Sequence, residues 1–193
     1  MRLLAGILIW MCGASLALGQ EAVLELLQGR LKVQQGGQVR FLVKKDPAVP
    51  VKVNLAKGIR VQTGANSQAV VSLRGGEEVV QLRSNSLFSL DGVEQQETKI
   101  RMPVGKAQFK IDPNRAVKRR FQVRTTTAIV GVKGTEFVMG AGDGQTSMLT
   151  LSGTVEMASV EAPKVQVEVN AGEASKLEVG SAPTEPVAVP PEM

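Results

Sequence analysis

Beyond residue 20 the chain alternates apolar and polar residues almost continuously, in short runs closed by Gly, Asn, Asp or Pro. Leu31 and Val33, then Val39, Phe41 and Val43, read as one face, with Lys32, Gln34, Arg40 and Leu42 on the other. The same period of two returns at Val51–Leu55, Ile59–Val61, Ala107–Ile111, Val117–Val123, Leu149–Met157 and Val165–Val169. Side chains of a strand point alternately to its two faces, so this pattern predicts β-strands with one buried side. No stretch after residue 20 carries the 3.6-residue period of a helix, and the polar run Val93–Lys99 is too short to support one. The expected fold is all-β, built as a solenoid-like stack of short strands, with a β-sandwich as the alternative.

The two ends depart from this pattern. Arg2 is followed by an almost wholly apolar run, Leu3–Leu18, and Ala17 and Gly19 are small residues at the minus-three and minus-one positions of a cleavage site. That is the anatomy of a secretory signal peptide, with an apolar core too short for a comfortable membrane span. Met11 is too bulky to precede a lipidated Cys12. Residues 1–19 are therefore expected to be a signal peptide, making the protein periplasmic or extracellular; it would meet a membrane only through an uncleaved signal. Residues 20–180 form the domain. Residues 181–193, SAPTEPVAVPPEM, contain four prolines and no alternation, and are expected to be a disordered tail.

Composition then removes function classes. The chain has no His or Tyr, and its single Cys and single Trp, Cys12 and Trp10, lie in the predicted signal. A mature chain of this kind has no disulfide, no His or Cys to bind zinc, and no Ser-His-Asp or Cys-His nucleophile. It offers no Trp or Tyr on which a sugar ring would stack. No catalysis, cofactor or metal site is expected. With Arg2 gone, 22 basic residues stand against 18 acidic ones, too diffuse an excess to indicate nucleic acid.

Three local features were candidates for a site. Lys118, Arg119 and Arg120, with Lys110, Arg115 and Arg124 nearby, form a possible patch for an anionic partner, or else a strand edge kept soluble by charge. Alternation turns Arg119 toward the apolar side of Val117 and Phe121, so it is expected to meet a carboxylate or to lie at a strand end. Asp143-Gly144 between alternating runs is a hairpin signal, and one Asp is too few ligands for calcium. Residues 131–137, GVKGTEF, superficially suggest a phosphate loop. Gly131 and Gly134 are too close together for one, and Phe137-Val-Met continues a strand where a phosphate loop opens a helix. The glycines are expected to shape a tight turn or bulge, with the Thr135 hydroxyl bonding across it.

These residues carry a resemblance. Phe121, Val123, Thr125, Ala128, Gly131, Val132, Gly134, Thr135 and Phe137 match the FecR domain pattern F-x-V-x-T-P-x-A-x-x-G-V-R-G-T-x-F, with Thr126 in place of its proline. Thr63, Gly64 and Ser67 resemble its strand–Thr-Gly–turn–Ser element, and Gly153 and Gly172 fall in stretches similar to its closing L-x-G-x-V and A-G-E runs. The resemblance covers nearly all of residues 22–180. It implies an extracytoplasmic β module; in well-known members this module relays a signal from an outer-membrane siderophore receptor to a cytoplasmic anti-sigma segment. A signal peptide in the place of that segment means sigma-factor binding itself is not expected here. Two roles follow as expectations: a binding or scaffolding module of the bacterial envelope, whose partner is an envelope protein or anionic glycan, or a periplasmic sensor acting on a separate membrane regulator or receptor.

Overall fold

The computed structural model describes residues 22–114 and 119–190, so the predicted signal, Arg115, Val117 and Lys118 lie outside the described residues. The alternating runs become strands. The first are β1 (Ala22–Gln28), β2 (Arg30–Gln35), β3 (Gln38–Val43), β4 (Val51–Asn54), β5 (Arg60–Thr63) and β6 (Gln68–Leu73). A 3-10 turn, Arg74–Gly76, leads to β7 (Glu78–Leu82), β8 (Leu87–Glu94) and the long β9 (Glu97–Ile111). There follow β10 (Arg120–Arg124), β11 (Ala128–Val132), β12 (Glu136–Gly142) and β13 (Gln145–Ser152). The last are β14 (Thr154–Ser159), β15 (Gln166–Asn170), β16 (Glu173–Glu178) and β17 (Val187–Ala188). The all-β expectation holds.

The strands pair into two wings of one continuous sheet. The first wing runs β4-β1-β6-β7-β9-β12-β13-β16-β17. The second runs β3-β2-β5-β8-β9-β10-β11-β14-β15. β9 belongs to both: its first half pairs with β8 and β10, and beyond Gly105 it pairs with β7 and β12. The chain passes repeatedly from wing to wing, as in a stacked coil, yet its pairs are antiparallel, as in a sandwich, except for β9 with β10.

Both wings turn their apolar faces into one core. Phe109 of the first wing stacks on Phe137 with ring centroids 4.7 Å apart, and meets Phe121 of the second edge-on at 6.2 Å. Each is fully buried, which stabilises the fold by roughly 1.5–3 kcal/mol per side chain. These contacts join the wings where β9 crosses between them.

Two strands sit the other way round from the expectation. Val39, Phe41 and Val43 point outward, and Leu42 packs on the core instead. Gly36 and Gly37, at φ +54° and +83°, form a two-residue hairpin turn that pairs Leu31 with Leu42 and Lys32 with Phe41. This register fixes the face even though the majority of apolar residues in β3 then lies outside. In β13, Thr146, Met148 and Thr150 are buried while Leu151 is exposed. Hydrogen bonds make the buried hydroxyls tolerable: Thr150 Oγ1 donates to the Val169 carbonyl at 3.1 Å, and Thr146 Oγ1 lies 2.7 and 2.8 Å from the hydroxyls of Thr125 and Thr127.

The C-terminal stretch also differs. Instead of being disordered throughout, it lays β17 along β16, with the Thr184 amide donating to the Lys176 carbonyl and the Val189 amide to that of Gly172. Proline does not prevent this pairing, because Pro186 and Pro190 flank the two paired residues instead of interrupting them. Residues 191–193 lie outside the described residues. The Asp143-Gly144 hairpin joins β12 to β13 as expected, with φ of +51° and +71°.

Candidate functional site

GVKGTEF spans the end of β11 and the start of β12, strands in different wings that do not pair with each other. The turn between them is therefore a corner from one wing to the other. Gly134 is its pivot. Its φ is +136°, and a Cβ there would lie 2.6 Å from Pro113 Cα, in the connection that leaves β9. Thr135 does not bond across its own turn; its hydroxyl donates to the Thr154 carbonyl at 3.0 Å, on the neighbouring corner. Gly153 allows that approach, since a Cβ there would fall 2.8 Å from the Gly134 carbonyl oxygen. Successive corners thus interlock, each backbone occupying the space a side chain would need.

Gly131 behaves differently from the turn residue it was expected to be. It lies within β11 on the outer face, and a Cβ would meet only Glu156 Oε2, at an ordinary 3.7 Å. The row across the sheet reads Lys99, Gln122, Gly131, Glu156, Glu168, so the missing side chain leaves a dip. A groove of about 370 Å³ lies there, with Arg120 and Lys133 at its margin beside Glu156 and Glu168. A second groove, lined by Glu77, Lys110 and Asp112, adjoins the same corner through Gly134 and Thr135.

The other motif element, Thr63, Gly64 and Ser67, forms the corner from β5 to β6. Antiparallel and parallel pairings place it at the opposite end of the strands from Gly134. Thr63 Oγ1 donates to the Arg83 carbonyl at 2.7 Å and accepts from the Ser86 amide at 2.8 Å. Ser67 Oγ accepts from the Arg30 amide at 2.9 Å, and Gly64 leaves room for the Arg30 stem. Thr125 closes the turn before β11 by accepting from the amides of Thr127 and Ala128. Phe121, Val123, Ala128, Val132 and Phe137 are core residues. Gly172 sits in the turn from β15 to β16, where its amide donates to the Thr150 carbonyl at 2.8 Å. The motif residues are therefore brought together as two corner systems and the core between them.

The described residues of the basic patch do not gather. Arg119 lies just before β10 and folds inward, donating from Nη1 to Glu77 Oε2 at 2.8 Å and from Nε to the Gln95 carbonyl at 3.1 Å. The sequence had left it either a carboxylate partner or a strand end, and it has both. Arg120 and Arg124 lie on the second wing opposite Glu97 and Arg101, whereas Lys110 belongs to the first wing beside Glu136. Glu97 also accepts from Lys99 at 2.8 Å; this hydrogen bond, then the carboxylate charge, raises the Lys99 pKa above the usual lysine value.

The residue after Arg119's partner Glu77 is a buried carboxylate, Glu78, on the face of β7 that also carries Val80 and Leu82. Glu78 has no exposed surface, and its Oε2 accepts from Thr98 Oγ1 at 2.8 Å. Arg74 stands 3.9 Å from Oε1 and also donates to the Glu94 carbonyl. The signal in the sequence was its parity: Glu78 stands two and four residues before Val80 and Leu82, on their side of the strand. Thr98→Val removes the donor and is expected to cost about 1.5–3 kcal/mol in a denaturant titration, because the carboxylate stays buried. Loss of under half a kcal/mol would show the carboxylate does not depend on Thr98.

The site can hydrogen-bond and ion-pair along shallow grooves. Among the described residues, no group of three or more His, Cys, Asp or Glu is placed to hold a metal ion, and no helix is long and apolar enough to cross a membrane.

Comparisons with known proteins agree with the corner motif. The FecR protein family matches residues 59–156, from the residue before β5 into β14, and so includes both corners. No curated protein matches the chain. Two crystal structures, at 1.65 and 2.50 Å resolution, of a protein from Parabacteroides distasonis described as a "putative anti-sigma factor" share its fold. Each is 21% identical with a TM-score of 0.54, and the alignment covers 66% of this chain and 57% of the other. The chain thus spans little more than half the length of these structures. With its interlocked Gly-Thr corners inside the matched stretch, the chain belongs to the FecR protein family.

Proposed function

We propose that this protein is an exported, non-catalytic recognition module of the bacterial envelope that binds another envelope protein. The match to the FecR family across residues 59–156 carries this reading. Residues 1–19 support export by their signal-peptide pattern, and the absence of His throughout the sequence supports binding over catalysis. A protein partner is favoured over an anionic glycan because Arg119 is already occupied by Glu77 and its described cationic neighbours are dispersed.

The fold shared with a protein described as a "putative anti-sigma factor" favours a regulatory setting for that binding. In this reading the module senses an envelope event and modulates a separate membrane regulator or receptor. Deleting the gene is expected to alter transcription of one sigma factor's target genes, with restoration by the parent chain. An unchanged transcript profile under envelope stress would remove the signalling role and leave a scaffold.

A further inference from the structure

β3 breaks the rule by which strand edges are kept harmless. Among the described residues it pairs only with β2, which leaves the hydrogen-bonding groups of its far side without a strand partner there. The other terminal strands are blunted: β4 has four residues and follows Pro50, β17 has two residues between Pro186 and Pro190, and β15 turns Gln166, Glu168 and Asn170 outward. β3 has six residues and shows Val39, Phe41 and Val43 at 44, 74 and 52% exposure. The other four phenylalanines of the chain are fully buried.

Charge indicates what covers it. Residues 29–45 include Arg30, Lys32, Arg40, Lys44 and Lys45 and no acidic residue. None of these five cations makes an ion pair among the described residues. Register sets Arg30 beside Val43 and Lys32 beside Phe41 on the outer face. We propose that the β3 edge is a docking strand for an extended, acidic segment of a partner protein, which adds to the second wing beside Phe41. Such a segment satisfies the open backbone ladder, the cations and the apolar stripe together. A second copy joined β3 to β3 would set the two cationic hairpins against each other, and a lipid surface would leave the ladder unpaired. The hairpin lies outside the family-matched stretch, residues 59–156.

The test uses the full chain and a soluble synthetic peptide alternating glutamate and valine, followed by backbone amide NMR. Shifts confined to residues 38–45 and weakening by about tenfold on Phe41→Ser, and again on Lys32→Glu, are expected. A peptide alternating lysine and valine should not bind. Phe41 and Lys32 contribute little to the core, so melts of both variants are expected to match the parent. Absence of β3 shifts at millimolar peptide would overturn the proposal, as would binding insensitive to Phe41→Ser. Binding only to phosphatidylglycerol vesicles, or self-association that depends on Phe41, would overturn it too. It rests on the chain being a binding module, but the two fail separately: partner capture unaffected by Phe41→Ser removes the docking strand alone.

Discussion

Gly134→Ala is expected to lower the free energy of unfolding by about 2–5 kcal/mol, the sum of a disfavoured backbone conformation and an overpacked contact. Both terms have a visible source. At φ +136° an L-residue is strained wherever it stands, and here its Cβ would press on the backbone of Pro113 at 2.6 Å. Pro113 cannot yield easily, because the adjacent Asp112 amide is held by the Glu77 carbonyl at 2.9 Å. Gly131→Ala provides the contrast. Its Cβ would make only an ordinary 3.7 Å contact with Glu156, and replacing a glycine inside a strand is expected to change stability by less than about 1 kcal/mol. Denaturant midpoints of the two variants check this. Equal losses at both positions would mean the motif glycines do not act through the corner.

Phe109→Ala is expected to be as damaging, at about 3–5 kcal/mol. Phe109 occupies the point where the wings meet, stacked on Phe137 and edge-on to Phe121, so its removal leaves a cavity between strands that cannot collapse independently. Phe41→Ala, at the exposed edge, is expected to cost under about 0.5 kcal/mol. If the two substitutions had similar effects in thermal melts, Phe109 would not be the joint between the wings.

Much of this was legible in the amino-acid pattern. Alternation located most strands, Asp143-Gly144 marked a hairpin, and the GVKGTEF stretch pointed to the family and to a structural use of Gly134. What alternation could not resolve was which side of a strand faces inward when both sides carry apolar residues. In β3, three apolar residues lie outside because a glycine turn fixes the register; in β13, threonines lie inside because neighbouring hydroxyls and a carbonyl receive them. Those are decisions of pairing and hydrogen bonding between segments far apart in sequence. The same limit applies to the site. Arg119 was suspected of a carboxylate partner, but the identity of Glu77, 42 residues away, depends on how β7 and β10 are brought together. The basic run also looked continuous only along the chain: of its described residues, Arg119 turns in to Glu77, while Arg120 stands exposed at the start of β10.

That this chain works by binding an envelope protein is tested most directly by cross-linking capture from an intact envelope, with the parent and the Gly134→Ala variant compared. The expected result is a defined partner protein retained by the parent and reduced in proportion to the folded fraction of the variant. Recovery of no protein above background, or equal recovery with a parent chain unfolded before capture, would contradict it.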